Sequence, residues 1–341
     1  MQSRILISLL ILASVGTLAQ PTSAQPAASA EKSTSRKFQF HYGAEITNLP
    51  PKSKANVWFP IASTSPQQTV TITNQESPSK ILQHPSDRHG NTIGHFETTV
   101  PETGSFTFQV EYEVERHESK PYGKGTPLTE TEKSLYLSAN TLVPIQGRPL
   151  ELIADKKLPP ETMATGQAIY SVVRDHMRYD KSKPGYGNGD SVWACDSRFG
   201  NCTDFHSLFI SLARSRSIPT KFEIGFPLPP AQGVSKGSEK PSQQSIGGYH
   251  CWAWFHTDSD GWVPVDISEA DKHPELSEYY FGRLTSDRIT MSVGRDIKLP
   301  APSASGPLNY FVYPHVEIDG TVIDKKHISG KFTVQQTADS H

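Results

Sequence analysis

Near the middle of the chain, a Gly-Asn turn leads into a helical pattern in the segment Gly200-Asn201-Cys202-Thr203-Asp204-Phe205-His206-Ser207-Leu208-Phe209. Apolar residues recur there at positions i, i+3, i+4 and i+7, namely Phe205, Leu208, Phe209 and Leu212. This spacing predicts a helix with one face packed inward, which ends before Ile218-Pro219. Unpaired N–H groups and the helix dipole at a helix N-terminus favour negative charge and lower a thiol pKa. Because Cys202 opens the helix, it is a candidate nucleophile.

A β-hairpin is predicted downstream, in the aromatic strand Tyr249-His250-Cys251-Trp252-Ala253-Trp254-Phe255-His256 and the strand Trp262-Val263-Pro264-Val265-Asp266. The turn between them ends in Gly261, as hairpin turns commonly do. If the hairpin folds about Ser259, Trp252 lies opposite Asp266, and His250 becomes the diagonal neighbour of Asp266 on the same face. A slip of one residue would separate the two side chains. The predicted nucleophile, base and orienting carboxylate are therefore Cys202, His250 and Asp266, in chain order.

Three other residues compete for the roles of base and acid. His206 lies one turn beyond Cys202 on the same helix, where a side chain normally packs or caps, and His256 lies at the turn end of its strand. Asp271 is the nearby alternative to Asp266 as the acid. The backbone N–H of Cys202, at the helix start, is the expected first donor of an oxyanion hole.

These motifs resemble the transglutaminase-like superfamily, in particular its bacterial secreted members. The resemblance covers roughly residues 160 to 315 and rests on five segments: Gly200 to Phe205, Ile218 to Phe222, Tyr249 to Trp254, Gly261 to Asp266, and Tyr279 to Gly282. It implies an α+β fold with a papain-like core, in which Cys202, His250 and Asp266 fall on the three catalytic positions of the family.

The resemblance also implies a function. Members of this superfamily use a thiol to attack amides, so the expected protein is a cysteine acyltransferase, protease or amidase that acts on protein or peptide amides through a thioester. Transamidation, deamidation and peptide hydrolysis remain open. The alternative is a catalytically silent, envelope-associated binding module with the same fold.

The N-terminus predicts export. Arg4 precedes an apolar run too short to span a bilayer, and small-residue cleavage sites follow, so residues 1–24 are expected to be a signal peptide. The alternative is an uncleaved N-terminal anchor. Residues 25–35 are rich in Ala, Ser and Pro and form a predicted disordered lead-in. No later segment is expected to cross a membrane, which favours a secreted or periplasmic location. With 33 basic and 35 acidic residues, the charge gives no indication of a nucleic-acid partner.

Domain organisation follows from element patterns. Short strands separated by Pro, Gly and Ser predict an N-terminal all-β, sandwich-like domain at 36–120, before a linker at 121–159 and the catalytic core at 160–300. A helix is predicted from about Pro160 to Met177. Residues 301–341 form a C-terminal strand extension, with 312–323 and 327–334 as a strand pair around Asp319-Gly320. The predicted strands of the β-domain are Phe38 to Tyr42, Val57 to Phe59, Thr69 to Thr73, Ile93 to Phe96 and Phe106 to Val114.

Two long loops are expected to border the substrate cleft. Residues 179–199 lead into the nucleophile, with Trp193 either contacting substrate or filling the core, and residues 227–248 form the other wall or a lid. No metal or other cofactor is expected. His84, His89 and His95 lie in a predicted solvated loop without ligand-like spacing, and no acidic loop has the spacing of a calcium site.

Cysteine pairing is the last expectation. Three cysteines in an exported chain allow one disulfide and one free thiol. A bridge between Cys195 and Cys251 would leave Cys202 free and would lie behind the site, since alternation along the strand points Cys251 away from His250. The alternative is a buried, reduced Cys251.

Overall fold

The computed structural model describes residues 35–85, 88–230 and 243–337. The predicted signal peptide, the lead-in up to residue 34 and the middle of the 227–248 loop lie outside these residues. The described strands are β1 (Ser35–Ile46), β2 (Lys54–Ile61), β3 (Gln68–Glu76), β4 (Leu82–Pro85), β5 (Thr92–Thr99), β6 (Phe106–His117), β7 (Arg178–Tyr179), β8 (Phe199–Gly200), β9 (Thr220–Pro227), β10 (Gln244–Ser245), β11 (His250–Thr257), β12 (Gly261–Val265), β13 (Arg288–Val293), β14 (His315–Ile318), β15 (Thr321–Val322) and β16 (Ile328–Gln336). The α-helices are α1 (Glu130–Leu137), α2 (Glu151–Ala154), α3 (Thr162–His176), α4 (Ser191–Ser197), α5 (Cys202–Ser215) and α6 (Ile267–Lys272), and short 3₁₀ turns lie at Arg148–Leu150, Pro274–Leu276 and Lys325–His327.

Two five-stranded sheets form a β-sandwich. The first sandwich sheet has the order β10-β16-β1-β6-β3, and the second has the order β15-β14-β2-β5-β4. Alternate residues of β1 and β6 are buried, as expected for strands with one face on a core. Their aromatic side chains meet β2, where Phe59 lies 6.0 Å from Tyr42 and 4.8 Å from Phe108 between ring centres. All five strands predicted for the N-terminal region are confirmed.

The sequence interpretation missed β4, a short edge strand that ends in Pro85 and lacks an alternating pattern. His84 lies on β4, and His95 lies on the neighbouring strand β5. His95 is buried and stacks on Trp58 at 4.8 Å. The prediction that both histidines lie in a solvated loop is therefore wrong.

The end of the chain completes the sandwich. The predicted turn at Asp319-Gly320 is confirmed as the hairpin between β14 and β15. The predicted pairing of 327–334 with this hairpin is wrong, because β16 crosses to the first sandwich sheet and pairs with β1, while β14 pairs with β2 in the second. Burial of Phe332, which packs against Tyr42 at 5.1 Å, explains the crossing, since β16 completes the aromatic core there.

A four-stranded central sheet, β12-β11-β9-β13, supports the helices α3, α5 and α6. Its two inner strands are almost entirely buried, because helices cover one face and the sandwich approaches the other. Phe226 at the end of β9 contacts Phe40 of the sandwich at 5.6 Å. The predicted helix near 160–177 is confirmed as α3. The hairpin register is confirmed too, with Ala253 opposite Val265 and Thr257 opposite Gly261.

The segment predicted as a structureless loop at 179–199 contains helix α4. Asp190 caps its N-terminus by accepting hydrogen bonds from the N–H groups of Val192 and Trp193. A helix of seven residues is too short for a clear periodicity, which explains the error. Trp193 packs edge-on against Phe199 at 5.2 Å and against the main core, so the core role is the one its contacts favour.

No helix among the described residues is long and apolar enough to cross a membrane.

Close backbone contact at Gly225 yields a stability prediction. Gly225 pairs with both His250 and Thr290, and an added Cβ would lie 1.8 Å from the Ile289 carbonyl oxygen. We expect Gly225→Ala to lower the free energy of unfolding by about 1–3 kcal/mol, because β13 would have to move away. Gly247→Ala is the matched control, since a Cβ at that position would meet nothing within 4 Å. Equal thermal midpoints for the two variants would contradict this packing.

Candidate active site

The candidate nucleophile is the first residue of α5, as the sequence predicts. Asn201 caps the helix, and its side-chain oxygen accepts a hydrogen bond from the N–H of Thr203 at 3.0 Å. Asp204 reaches back to accept the N–H of Asn201 at 2.9 Å, which completes a capping box. These two caps fix the start of the helix at Cys202, which is 2% exposed.

The hairpin brings His250 and Asp266 into contact. The Nε2 of His250 donates to Asp266 Oδ2 at 2.7 Å, so its Nδ1 is the ring atom left to face Cys202. Asp266 follows the last residue of β12 and is the N-cap of α6, where its Oδ1 accepts from the N–H of Glu269 at 3.1 Å and from Ser268 Oγ at 3.0 Å. Both elements therefore determine where the carboxylate lies.

Arg288 is a site residue that sequence reasoning missed. It lies at the start of β13, 3% exposed, and its Nη1 donates to Asp266 Oδ2 at 3.0 Å. The guanidinium also lies 4.8 Å from the ring centre of Trp252. No local pattern identifies it, because Arg288 is 22 residues from its partner and reaches it only through the strand order of the central sheet.

The buried charges of Cys202, His250 and Asp266 stabilise one another. Burial alone would raise the pKa of Cys202, but hydrogen bonds from Cys251 and His250 and the charge of His250 lower it to about 5. Burial would likewise lower the pKa of His250, but the Asp266 carboxylate raises it to about 10. Despite burial, His250 and Arg288 hold the pKa of Asp266 well below its ordinary value. At neutral pH the favoured state is a thiolate beside an imidazolium beside a carboxylate.

The three competing residues have other contacts. His206 is fully buried, and its Nε2 accepts the N–H of Ile267 at 3.1 Å. Asp271 accepts the N–H of Tyr179 at 2.8 Å, and His256 packs edge-on against Trp262 at 5.2 Å. Among these candidate acids and histidines, it is His250 and Asp266 that hydrogen-bond each other.

Three tyrosines lie near the helix terminus that carries Cys202. Asn201 Nδ2 donates to the Tyr249 hydroxyl at 2.9 Å, and the N–H of Tyr249 donates to the Tyr313 hydroxyl at 3.1 Å. The Tyr310 hydroxyl donates to the carbonyl of Gly187 at 2.9 Å. Burial and the nearby charge of Cys202 raise the pKa of Tyr249, so its hydroxyl stays protonated at neutral pH. Of the three tyrosines, only Tyr249 could be connected with the site from the sequence, because it directly precedes the predicted base His250.

A glycine-rich loop lies against the same helix terminus. The Asp204 carboxylate accepts the N–H groups of Gly187 at 2.8 Å and Gly189 at 2.9 Å, both of which have positive φ. Burial raises the pKa of Asp204 to about 6, although three backbone donors oppose the rise. This clamp places part of the 179–199 segment beside Cys202.

One set of side chains has metal-ligand proximity. Ligand atoms of His250, Asp266 and Glu269 lie within 4.8 Å of one another, and this is the single such group within the described ranges. Two of these groups already hydrogen-bond each other, and the Arg288 guanidinium occupies the Asp266 oxygen that faces His250. A cation there would meet a positive neighbour, so the set fits a hydrogen-bonded triad better than a metal centre.

The disulfide prediction is wrong, because all three cysteines are free. Cys195 lies on α4 with its sulfur 3.9 Å from the carbonyl oxygen of Arg148. Cys251 points to α5, with its sulfur 3.5 Å from Nδ1 of His206. The error came from strand alternation, which turns Cys251 away from His250 but still leaves it facing the helix that carries Cys202.

Comparison with known proteins identifies the core. The model of the transglutaminase-like superfamily matches residues 152–267, a segment that contains Cys202, His250 and Asp266. Residues 152–267 belong to the transglutaminase-like superfamily. The resemblance inferred from the motifs is therefore confirmed, as is the α+β class with a β-rich region before the transglutaminase-like core.

Similarity that extends beyond this segment is more distant. An uncharacterized protein from Haemophilus influenzae is 29% identical in an alignment over 241 residues that covers 61% of this chain. The chain spans 65% of the length of that curated relative. A candidate cysteine protease from Cytophaga hutchinsonii has the same fold, with a TM-score of 0.52, 16% identity, and coverage of 89% of this chain and 99% of its own. The periplasmic domain of TgpA from Pseudomonas aeruginosa aligns with a TM-score of 0.37 and 12% identity over 72% of this chain and 92% of its own.

Charge coupling in the transglutaminase-like site can be tested without a substrate. We expect Asp266→Asn to slow alkylation of Cys202 by iodoacetamide at neutral pH roughly tenfold or more. A neutral amide no longer raises the pKa of His250, so the imidazolium that stabilises the Cys202 thiolate is lost. Each unit by which the Cys202 pKa then exceeds the pH lowers the thiolate fraction about tenfold. The readout is the mass of the peptide that contains Cys202, with the thermal midpoint measured alongside.

Asp271→Asn is the matched control, since Asp271 binds the backbone of Tyr179. Its alkylation rate should equal that of the wild type. If Asp266→Asn reacted as fast as Asp271→Asn while remaining folded, Asp266 would have no part in maintaining the thiolate.

Proposed function

We propose that the protein is an exported cysteine acyl-transfer enzyme that acts on protein or peptide amides through a thioester. The observation that carries the proposal is the 2.7 Å hydrogen bond between His250 and Asp266 beside a thiol at a helix N-terminus. A structural histidine and cysteine would not need a buried carboxylate that keeps the imidazole charged. Such an arrangement is the one that thiol nucleophiles require.

The first half-reaction follows from the positions of the side chains. The Cys202 thiolate attacks the carbonyl carbon of an amide, and the negative charge moves to the carbonyl oxygen. The N–H of Cys202, at the first turn of α5, has no partner within the helix and is the proposed donor to that oxygen. The imidazolium of His250 then gives its Nδ1 proton to the leaving nitrogen, and ammonia or an amine departs.

The second half-reaction releases the acyl group. Water or an amine attacks the thioester while His250, now neutral, accepts its proton. Asp266 keeps the Nε2 proton of His250 in place in both steps, so Nδ1 is always the atom that exchanges protons. Attack by water gives deamidation or peptide hydrolysis, and attack by an amine gives transamidation.

Polar donors near Cys202 favour an amide substrate. The hydroxyls of Tyr249, Tyr310 and Tyr313 lie near the helix terminus that carries Cys202. The Tyr310 hydroxyl donates its proton to the Gly187 carbonyl, whereas the Tyr313 hydroxyl accepts the N–H of Tyr249 and keeps its own proton to donate to a peptide backbone. The net charge of −2 gives no reason to expect a nucleic-acid partner. We therefore propose a protein or peptide substrate, and an extracellular or periplasmic site of action that follows from the predicted signal peptide at 1–24.

We expect Cys202→Ala to abolish turnover with little change in fold stability, because the sulfur removed is small. The direct measurement is incubation with p-nitrophenyl acetate, followed by intact-mass analysis for an acetyl group on Cys202. A second assay offers a glutamine-containing protein with a labelled amine, and it separates transamidation from release of ammonia by water.

Cys195→Ala is the matched control, since it removes a buried thiol on the neighbouring helix. This variant should keep full activity and should acquire the same acetyl group. Turnover in Cys202→Ala equal to that of the wild type would overturn the mechanism. A folded wild-type protein that forms no acyl-enzyme would support the binding-module alternative.

A further inference from the structure

Cys251 faces the same helix terminus as the proposed nucleophile. Its sulfur lies 3.5 Å from Nδ1 of His206, and His206 is four residues after Cys202 on α5. Residues four apart share one face of a helix, so Cys251 packs against the face that carries Cys202. Cys251 is also among the groups that lower the pKa of Cys202, as a polar group close to its sulfur would. The two cysteines are therefore neighbours across the junction of α5 and β11.

His206 sets the direction of the Cys251 thiol. The N–H of Ile267 donates to its Nε2 at 3.1 Å, and burial lowers the pKa of His206 to about 4, so the neutral ring carries its proton on Nδ1. That proton is directed to the Cys251 sulfur. The Cys251 S–H is then left to donate elsewhere, and the Cys202 sulfur is the acceptor beside it.

We propose that Cys202 and Cys251 form a reversible disulfide on exposure to a peroxide, and that Cys251 thereby protects the nucleophile from irreversible oxidation. The inference deepens the proposed function, since it takes Cys202 to be the reactive thiol. It differs from the disulfide expected from the sequence, because the partner of Cys251 is the nucleophile itself and the bond would block the site.

The chemistry balances with hydrogen peroxide as the oxidant. The Cys202 thiolate attacks one peroxide oxygen, the O–O bond breaks, and the hydroxide released takes the His250 proton to become water. The sulfur of Cys251 then attacks the sulfenic sulfur of Cys202. An S–S bond forms, the S–O bond breaks, and the departing hydroxide leaves as water with the Cys251 thiol proton. Two sulfurs are oxidised and one peroxide is reduced to two waters.

The thiols of Cys202 and Cys251 differ in pKa, as these steps require. The site lowers the pKa of Cys202, whereas burial raises that of Cys251 well above its ordinary value. Only Cys202 is therefore ready to attack a peroxide, and Cys251 stays protonated until a sulfenic acid forms. Cys195 cannot substitute, since its sulfur faces the carbonyl oxygen of Arg148 instead.

The experiment treats the reduced full-length chain with hydrogen peroxide and compares wild type, Cys251→Ala and the matched control Cys195→Ala. Peptides are mapped by mass without reduction, and free Cys202 is counted by alkylation before and after dithiothreitol. Wild type and Cys195→Ala should give a cross-linked peptide pair that contains Cys202 and Cys251, with alkylation fully restored by dithiothreitol. Cys251→Ala should give sulfinic or sulfonic acid at Cys202, with roughly tenfold less recovery.

Sulfinic acid at Cys202 in the wild type, formed as fast as in Cys251→Ala and without the cross-linked pair, would overturn the proposal. If Cys251→Ala does not fold, Cys251→Ser keeps the volume and a donor, and the same loss of recovery is expected. The readout is a mass and not turnover. A protein that forms the disulfide but turns over no amide would refute only the proposed function, and an active enzyme without the disulfide would refute only this inference.

Discussion

The carboxylate of Asp266 is the group on which the candidate site depends. It accepts four hydrogen bonds, from His250 on β11, Arg288 on β13, and the first turn of α6 that it caps. The desolvation free energy of an isolated buried carboxylate is larger than the stabilisation from these hydrogen bonds alone. Asp266 therefore stays ionised because the His250 imidazolium and the Arg288 guanidinium neutralise its charge. This single side chain therefore fixes the end of β12, the start of α6 and the position of His250.

A second set of buried polar side chains connects this site to the sandwich. Trp252, two residues after His250, donates its indole N–H to Glu223 at 2.8 Å. Arg116 of the sandwich lies beside them, fully buried, and donates to Thr290 of the central sheet at 3.2 Å. Through these contacts the β-rich region holds β13 and therefore Arg288 in place. The sandwich thus contributes to the electrostatics of the site without supplying any member of the triad.

The parts of the structure that sequence could predict are those set by local patterns. The start of α5 at Cys202 follows from the capping residues and the apolar spacing, and the hairpin register follows from its turn, which is why His250 and Asp266 were placed together. Long-range placement was not predictable. Arg288 reaches Asp266 through the order of four strands, β16 leaves its neighbouring hairpin for another sheet, and Cys251 faces α5 because of how a helix packs on a strand.

The coupled charges give the account its sharpest consequence, which is that Cys202 is already a thiolate at neutral pH. The most direct measurement is the ultraviolet absorbance of the thiolate as a function of pH, taken as the difference between the wild type and Cys202→Ala. The sign follows from the lowered pKa: the thiolate signal should be present at neutral pH and should disappear only as the pH falls through about 5. A signal that instead appears as the pH rises through about 8 to 9, where an ordinary thiol titrates, would contradict the thiolate–imidazolium pair and the site built on it.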